Sequence, residues 1–146
     1  MDAIHSQSEC ELGVTNAVKF DASERGFRLP SGLWQRYDGL RKTDSDQGVQ
    51  YTYSTRRGAV KIYGGKVVEN ICQAVARCVI AEQILLIAKR YKVVLTVHDA
   101  IACIAPEAEA DEAVQYVQEC MRHRPAWAQG LPLNCEVGVG TNYGEC

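Results

Sequence analysis

Two adjacent residues, His98 and Asp99, sit in the middle of an apolar ribbon running from Lys92 to Ala105 (Lys-Val-Val-Leu-Thr-Val-His-Asp-Ala-Ile-Ala-Cys-Ile-Ala). An ionised carboxylate buried alone in such a ribbon would cost several kcal/mol, so Asp99 belongs at a bend, where it stays solvated or faces a cation. β-Branched content and period-two alternation on both sides predict two strands joined by a tight reversal. A rigidly aimed, ionised carboxylate at a strand end is what a metal-dependent enzyme needs. Asp is also common in turns for its local hydrogen bonds, and that reading gives Asp99 no chemistry.

A second set of candidates precedes the ribbon. Gln73 and Arg77 are four residues apart in a long helical pattern and so share a face, distinct from its densest apolar stripe. Lys66 opens the same pattern. Arg56 and Arg57 belong to a basic tract: residues 28 to 66 carry Arg28, Arg36, Arg41, Lys42, Arg56, Arg57, Lys61 and Lys66 against Asp38, Asp44 and Asp46, a local +5. Residues 67 to 146 carry six basic and ten acidic side chains, a local −4, within a net charge of −2. A basic half beside an acidic one is what a phosphate-tracking surface would produce; an ordinary solvated, loop-rich segment is the plainer alternative.

The elements that must position these groups can be read from pattern. Residues 1 to 26 are polar and weakly periodic, either a frayed lead or a helix that packs elsewhere. Residues 27 to 40 read as a hairpin turning at Pro30-Ser31-Gly32. Lys42 to Gly48 reads as a charged loop; Asp44-x-Asp46-x-Gly48 is similar to part of a calcium loop but lacks its downstream glutamate. Val49 to Thr55 and Ala59 to Tyr63 are extended. A helix is predicted from about Lys66 to Tyr91, with Val68, Ile71, Val75, Cys78/Val79, Glu82 and Ile84/Leu85/Ala88 on one face. Glu107 to Arg122 is an amphipathic helix with Ala110, Ala113, Val114, Val117 and Met121 inward; its acids lead and its arginines trail, as the helix dipole favours. Leu133 to Val139 is a final strand. The fold class is α+β: an antiparallel sheet containing the His98–Asp99 hairpin, with one long helix and a shorter amphipathic helix packed on it.

Composition sets the bounds. A chain of 146 residues with 47% hydrophobic residues suffices for one modest core. No run approaches the ~18 consecutive apolar residues of a membrane span, and no signal pattern opens the chain. The seven cysteines, at 10, 72, 78, 103, 120, 135 and 146, are odd in number and include no Cys-x-x-Cys pair, which predicts reduced thiols inside a cell and no zinc site. Cys72, Cys78, Cys103 and Cys120 fall in apolar patterns as small core residues. Trp127 and Tyr143 read as packing residues rather than stacking platforms.

Four blocks, taken in order, point to a family. Val97-His98-Asp99 between apolar strands resembles motif C of the family A DNA polymerases, the DNA polymerase I group and its phage relatives. Phe27-Arg28-Leu29-Pro30-Ser31-Gly32 with Tyr37 is similar to the LPSGR…Y strand and turn of phage members. Ile62 to Arg77 (Ile-Tyr-Gly-Gly-Lys-Val-Val-Glu-Asn-Ile-Cys-Gln-Ala-Val-Ala-Arg) is similar to the start of a long palm helix, YGGKLVENxxQAxAR. Pro125-Ala126-Trp127-Ala128, Gly130-Leu131-Pro132-Leu133 and Glu136-Val137-Gly138 look like the closing strand and tail.

The resemblance implies a partial palm domain over residues 27–146 behind a polar lead at 1–26, as the C-terminal part of a template-directed DNA polymerase. It implies Asp99 as the catalytic, Mg²⁺-binding carboxylate and His98 as a contact to the primer end in the minor groove. Gln73 would read a minor-groove acceptor common to all base pairs, and Arg77 and Lys66 would neutralise phosphates, with Arg56 and Arg57 on the DNA-facing basic surface. Primer–template DNA, dNTP and a missing upstream polymerase portion are the implied partners, with no membrane, in the cytoplasm of a bacterial or phage-infected cell.

The departures are equally specific. Ala100 stands where the family usually has glutamate, and the motif A strand and motif B helix are missing. Asp21-Ala22-Ser23-Glu24 resembles the start of motif A, but Gly26 occupies the glutamate position and no motif B helix fits before Arg28. Two-metal phosphoryl transfer needs two carboxylates on neighbouring strands, holding ions about 4 Å apart. Asp99 alone would bind Mg²⁺ weakly, since that ion gives up its waters reluctantly. The isolated chain is therefore expected to be inactive, with Mg²⁺ weak or absent. A non-catalytic, nucleic-acid-binding degenerate palm, a subunit of a split polymerase, and an unrelated α+β domain with structural His98 and Asp99 are the alternatives. A palm lacking its neighbours would expose apolar area, which also predicts a homodimer.

Overall fold

The computed structural model describes residues 1, 11–12, 17–21, 24, 26–46 and 48–146, so Cys10 and most of the polar lead lie outside the described residues. The architecture is α+β, built from small antiparallel sheets, one long helix and one shorter helix. It divides into two compact units, Met1–Ala76 and Arg77–Cys146.

In the first unit, β1 (Glu11–Leu12), β2 (Val18–Asp21), β3 (Gly26–Arg28) and β4 (Trp34–Arg36) form a four-stranded antiparallel sheet in that order. Two of these strands fall within the segment read as a lead, and Val18 is buried in the core. Asp21 and Glu24 have local structural work there: the Asp21 carboxylate accepts from the Glu24 amide, and Glu24 pairs with Arg36. The β3–β4 reversal falls at Pro30-Ser31-Gly32 as expected, with Gly32 at φ 83° and its N–H donating to the Leu29 carbonyl at 2.9 Å.

A second sheet joins β5 (Arg41–Ser45), β6 (Gly48–Thr55) and β7 (Gly58–Ile62). The stretch expected as a charged loop is thus largely a strand, paired with β6 from Arg41↔Thr52 to Ser45↔Gly48. Its charges misled because an edge strand carries charge without losing its backbone ladder. Val18, Phe27, Tyr37, Leu40, Ile62 and Val67 form the buried cluster. Edge-on aromatic contacts link Phe27 to Tyr37 and Tyr37 to Tyr53, with centroids 6.4 and 5.3 Å apart. Burial pushes the Tyr37 hydroxyl up, and it accepts a hydrogen bond from Asn70 at 3.2 Å.

Helix α1 spans Gly64–Ile87. Its buried side is Val67, Cys78, Val79, Ile80, Gln83 and Ile87, with Ile71 and Val75 half-buried. Val68, Leu85 and Ala88, assigned to the inner face by pattern, are exposed, whereas Ile71, Val75, Cys78 and Val79 of the same expected face are buried or half-buried; the stripe departs from the expectation at its two ends, where Val67 and Ile87 take the inward places. By length and composition α1 would suffice to cross a membrane. It carries Lys66, Glu69, Arg77 and Glu82, and Val67 and Ile87 pack in buried clusters.

In the second unit β8 (Lys92–Val97) and β9 (Ala100–Ile104) form the expected hairpin, and α2 (Ala110–Met121) comes after a 3₁₀ turn at Glu107–Glu109. Ile87, Tyr91, Ala113 and Cys120 are buried together, with Val93, Ile101, Cys103, Val117 and Met121 packed around them. The two helices cap one another. The Gln83 amide donates to the Met121 carbonyl at the end of α2 at 2.5 Å, and the Tyr116 hydroxyl donates to the Leu86 carbonyl near the end of α1 at 2.8 Å. Each satisfies a carbonyl that a helix terminus leaves without a full set of partners.

Leu133 to Val139 joins no ladder among the described residues, although Leu133, Cys135 and Val137 are half-buried and Asn134, Glu136 and Gly138 exposed. The alternation of a strand is present; a neighbouring edge to pair with is not. Cys72, read as a core residue, is exposed. Trp127 is half-buried and donates to Glu82 at 2.7 Å, whereas Tyr143, also read as a packing residue, is exposed.

Candidate functional site

The β8–β9 hairpin gives the tip its shape. Val97 pairs with Ala100, leaving His98 and Asp99 as a two-residue loop. Val93 pairs with Cys103 and Leu95 with Ala102, so Val94 is one residue too many on its strand. Such a bulge bends the strand, raises its twist and re-aims the side chains beyond it. It keeps Val93 and Thr96 on the inner, half-buried side while Val94, Leu95 and Val97 face outward. On the inner side, burial pushes the Cys103 thiol up, which keeps it a poor nucleophile.

His98 has φ 53° and is the one non-glycine with positive φ among the described residues. Two-residue hairpin loops place glycine or asparagine at such positions because a Cβ is strained there. Strain of this kind clusters at functional sites. His98 and Asp99 are both exposed, and neither side chain has a hydrogen-bond or ion-pair partner among the described residues. The sequence therefore located the tip, but the bulge and the strained histidine left no signal in it.

The other candidates fall into two groups. Thr55 pairs with Gly58, so Arg56 and Arg57 form the two-residue loop of the β6–β7 hairpin, both exposed. The Thr55 hydroxyl donates to the Gly58 carbonyl at 2.8 Å and accepts from the Arg57 amide at 3.2 Å, while Gly58 takes φ 115°, which a side chain would strain. Lys66, Gln73 and Arg77 lie on α1, and Gln73 and Arg77 are exposed as their shared face predicted. Lys66 and Gln73 are brought together by Glu69, a residue that sequence reasoning passed over. Its carboxylate accepts from the Lys66 ammonium at 2.7 Å and from the Gln73 amide at 3.2 Å. Glu69 holds the Lys66 ammonium above its ordinary value. The signal was available, since three- and four-residue spacings place all three on one face.

The donor set at the tip decides whether it could hold a metal. Among the described residues no group of three or more His, Cys, Asp or Glu side chains is placed to hold an ion. Asp99 offers one carboxylate, and Mg²⁺ is bound through carboxylates together with substrate phosphates. The residues described do not by themselves make a Mg²⁺ site.

A DNA polymerase of the Bacillus phage SP02 is 37% identical to this chain over 91 residues, which is 62% of the chain and 14% of the phage protein. The chain is similar to a phage DNA polymerase. It spans only about 14% of that relative's length. No family model matches the chain, and no solved structure matches it.

Proposed function

We propose that this chain is the C-terminal palm portion of a template-directed, family A type DNA polymerase, with Asp99 as the carboxylate of its motif C. The observation that carries this reading is the 37% identity to a phage DNA polymerase. Asp99 on a bulged, strained hairpin tip supports it. In the complete enzyme Mg²⁺ would neutralise charge on the transferring phosphoryl group. Within this chain, Asp99 at the hairpin tip would offer one carboxylate to that ion, and the upstream polymerase portion would have to supply the remaining ligands. His98 meets the primer end. Gln73 offers its remaining amide N–H to minor-groove acceptors, its other one being held by Glu69. Arg77, Lys66, Arg56 and Arg57 face phosphates. The outer face of the hairpin, with Leu95 and Val97 42% exposed and Ile104 60% exposed, supports a role inside a larger protein, since a free-standing domain rarely leaves such a face open. The setting is cytoplasmic, where a phage or bacterial replication enzyme works.

The test combines the 146-residue chain with the upstream portion of such a polymerase and measures primer extension with and without Mg²⁺. Extension in the mixture that needs Mg²⁺ and is abolished by Asp99→Asn is the expected result. Extension by the isolated chain, or extension indifferent to Asp99→Asn, overturns it. A degenerate, non-catalytic palm is the second reading, favoured by Ala100 in the glutamate position and by the lone carboxylate. It predicts salt-sensitive duplex binding with no Mg²⁺ dependence in any mixture.

A further inference from the structure

We infer that Glu69 is a positioning residue for Gln73: its carboxylate fixes which end of the Gln73 amide faces outward, and so keeps the minor-groove contact blind to base identity. The inference rests on the polymerase reading, which gives Gln73 that contact, and adds to it the residue that sets the polarity of the contact.

The helix brings the three side chains together. At about 100° per residue, Lys66, Glu69 and Gln73 fall within about 60° of one another around α1. Side chains on a helix lean toward its N-terminus, so Gln73 leans over Glu69 and Glu69 over Lys66. One Glu69 oxygen, Oε1, accepts from Gln73 Nε2 at 3.2 Å and from Lys66 Nζ at 2.7 Å. Glu69 and Gln73 are exposed and Lys66 is half-buried, so a ligand laid on this side of the helix meets the pair. The core contact of the same turn is made by the next residue, Asn70, which donates to the Tyr37 hydroxyl. Folding of the turn therefore does not rest on the Glu69 carboxylate.

The chemistry of an amide gives that bond its consequence. A glutamine amide carries two N–H donors on one side and an accepting carbonyl on the other, and a half turn about its last bond exchanges them. An ionised carboxylate accepts and cannot donate. Against Glu69 only the Nε2 side fits, because the turned amide would set its carbonyl oxygen against a carboxylate oxygen. Lys66, paired with the same oxygen, fixes the carboxylate in turn. In the minor groove the base pairs share acceptors, while G·C adds the donor amine of guanine. An amide free to turn can offer N–H to the acceptors or its carbonyl to the guanine amine, and would favour G·C. An amide held by Glu69 cannot make that exchange and offers the N–H side alone, which every base pair accepts.

Two measurements test this. Heteronuclear NMR of the full chain follows the Gln73 side-chain amide, where one proton should show the shift of a bond to a carboxylate and return to the free value in E69A. In the polymerase mixture, primers ending in A·T, T·A, G·C and C·G pairs are extended in parallel, and the parent's ratio of G·C-ended to A·T-ended extension is the reference. E69Q and E69A should each raise that ratio by about two- to tenfold, the worth of one hydrogen bond, and adding Q73A should cancel the rise. Loss of the acid's charge, or a folding defect read by circular dichroism, would move all four ends together and leave the ratio unchanged. A Gln73 amide already at the free value in the parent overturns the inference. So does an unchanged ratio in folded E69Q and E69A where Q73A alone impairs extension, and in both cases the polymerase reading stands. If the NMR bond is present but no mixture extends a primer, the polymerase reading fails and takes with it the contact that Glu69 would position.

Discussion

His98→Gly is expected to make the protein more stable while removing the side chain at its candidate site. A Cβ held at φ 53° costs about 1–2 kcal/mol. Glycine relieves that cost but returns about 0.5–1 kcal/mol through the greater freedom of its unfolded chain. The His98 ring makes no hydrogen bond or ion pair among the described residues, so nothing else is lost with it, and the net gain is about 0.5–1 kcal/mol. For a chain of this length that raises Tm by about 1–4 °C. His98→Ala keeps the Cβ and therefore the strain, and should stay within about 0.5 kcal/mol of the parent. Thermal and urea unfolding of the three proteins, monitored by circular dichroism, reads the split. Should Gly and Ala shift stability together, or should Gly destabilise, the ring rather than the backbone fixes the tip and the strain argument fails. In the polymerase mixture both variants should lower primer extension, separating the gain in stability from the loss in function.

Three further outcomes rest on the packing. Gln83→Ala should destabilise by about 2–4 kcal/mol, from a cavity and an uncapped Met121 carbonyl; Gln83→Met uncaps the same carbonyl but fills the space and removes the buried, unpartnered Gln83 Oε1, and should cost about 1 kcal/mol less. Equal urea midpoints for the two variants would refute the cavity argument. Tyr116→Phe keeps its ring packing and loses the bond to the Leu86 carbonyl, which still accepts from the Lys89 amide at 3.2 Å, for about 0.5–1 kcal/mol in the same assay, and no loss would mean that the hydroxyl bond adds nothing to the amide one. Burial raises the ionisation of Tyr37, so the folded state holds that proton more tightly: this stabilisation is complete below the ordinary tyrosine value of about 10 and is lost as pH rises through it. Unfolding midpoints should fall above about pH 10, less steeply in Tyr37→Phe, and an undiminished fall in that variant would refute the assignment.

What the sequence disclosed and what it hid divide along physical lines. Hairpins with local turn chemistry were legible, as at Pro30-Ser31-Gly32 and His98-Asp99, because turn residues and alternation act within a few positions. The course of α1 and the middle of its buried face, Ile71, Val75, Cys78 and Val79, were legible from period alone, but the face was misassigned at its ends, since Val68 and Leu85 are as apolar as the Val67 and Ile87 that are buried. Strand β5 was hidden because its ladder partner, not its charged composition, makes it a strand. The reverse holds for Leu133 to Val139, whose alternation is real but whose pairing edge is not supplied within the described chain. At the candidate site, the position of the hairpin tip was readable and its geometry was not. The bulge at Val94 and the positive φ at His98 come from the meeting of two strands and leave no mark in composition.

Two features of the tip then bear on whether it still does chemistry. A turn kept only to reverse the chain gains nothing from a strained histidine where Asn-Gly would sit without cost, and under the polymerase reading that strain is the cost of presenting the side chain at 98. Ala100 argues the other way, since the family resemblance puts a glutamate there. The fold does not demand alanine: Ala100 is exposed and opens β9 opposite Val97, so a glutamate would be solvated, and Ala100→Glu should change stability by less than about 0.5 kcal/mol. Its effect on activity is accordingly a clean probe. Extension by the polymerase mixture that rises with Ala100→Glu and vanishes with Asp99→Asn would mean the tip faces the reacting phosphates and the alanine only weakens it. Extension absent with either residue at 100, beside intact duplex binding, would mean the tip has lost its chemistry and the degenerate, non-catalytic palm is the reading that stands.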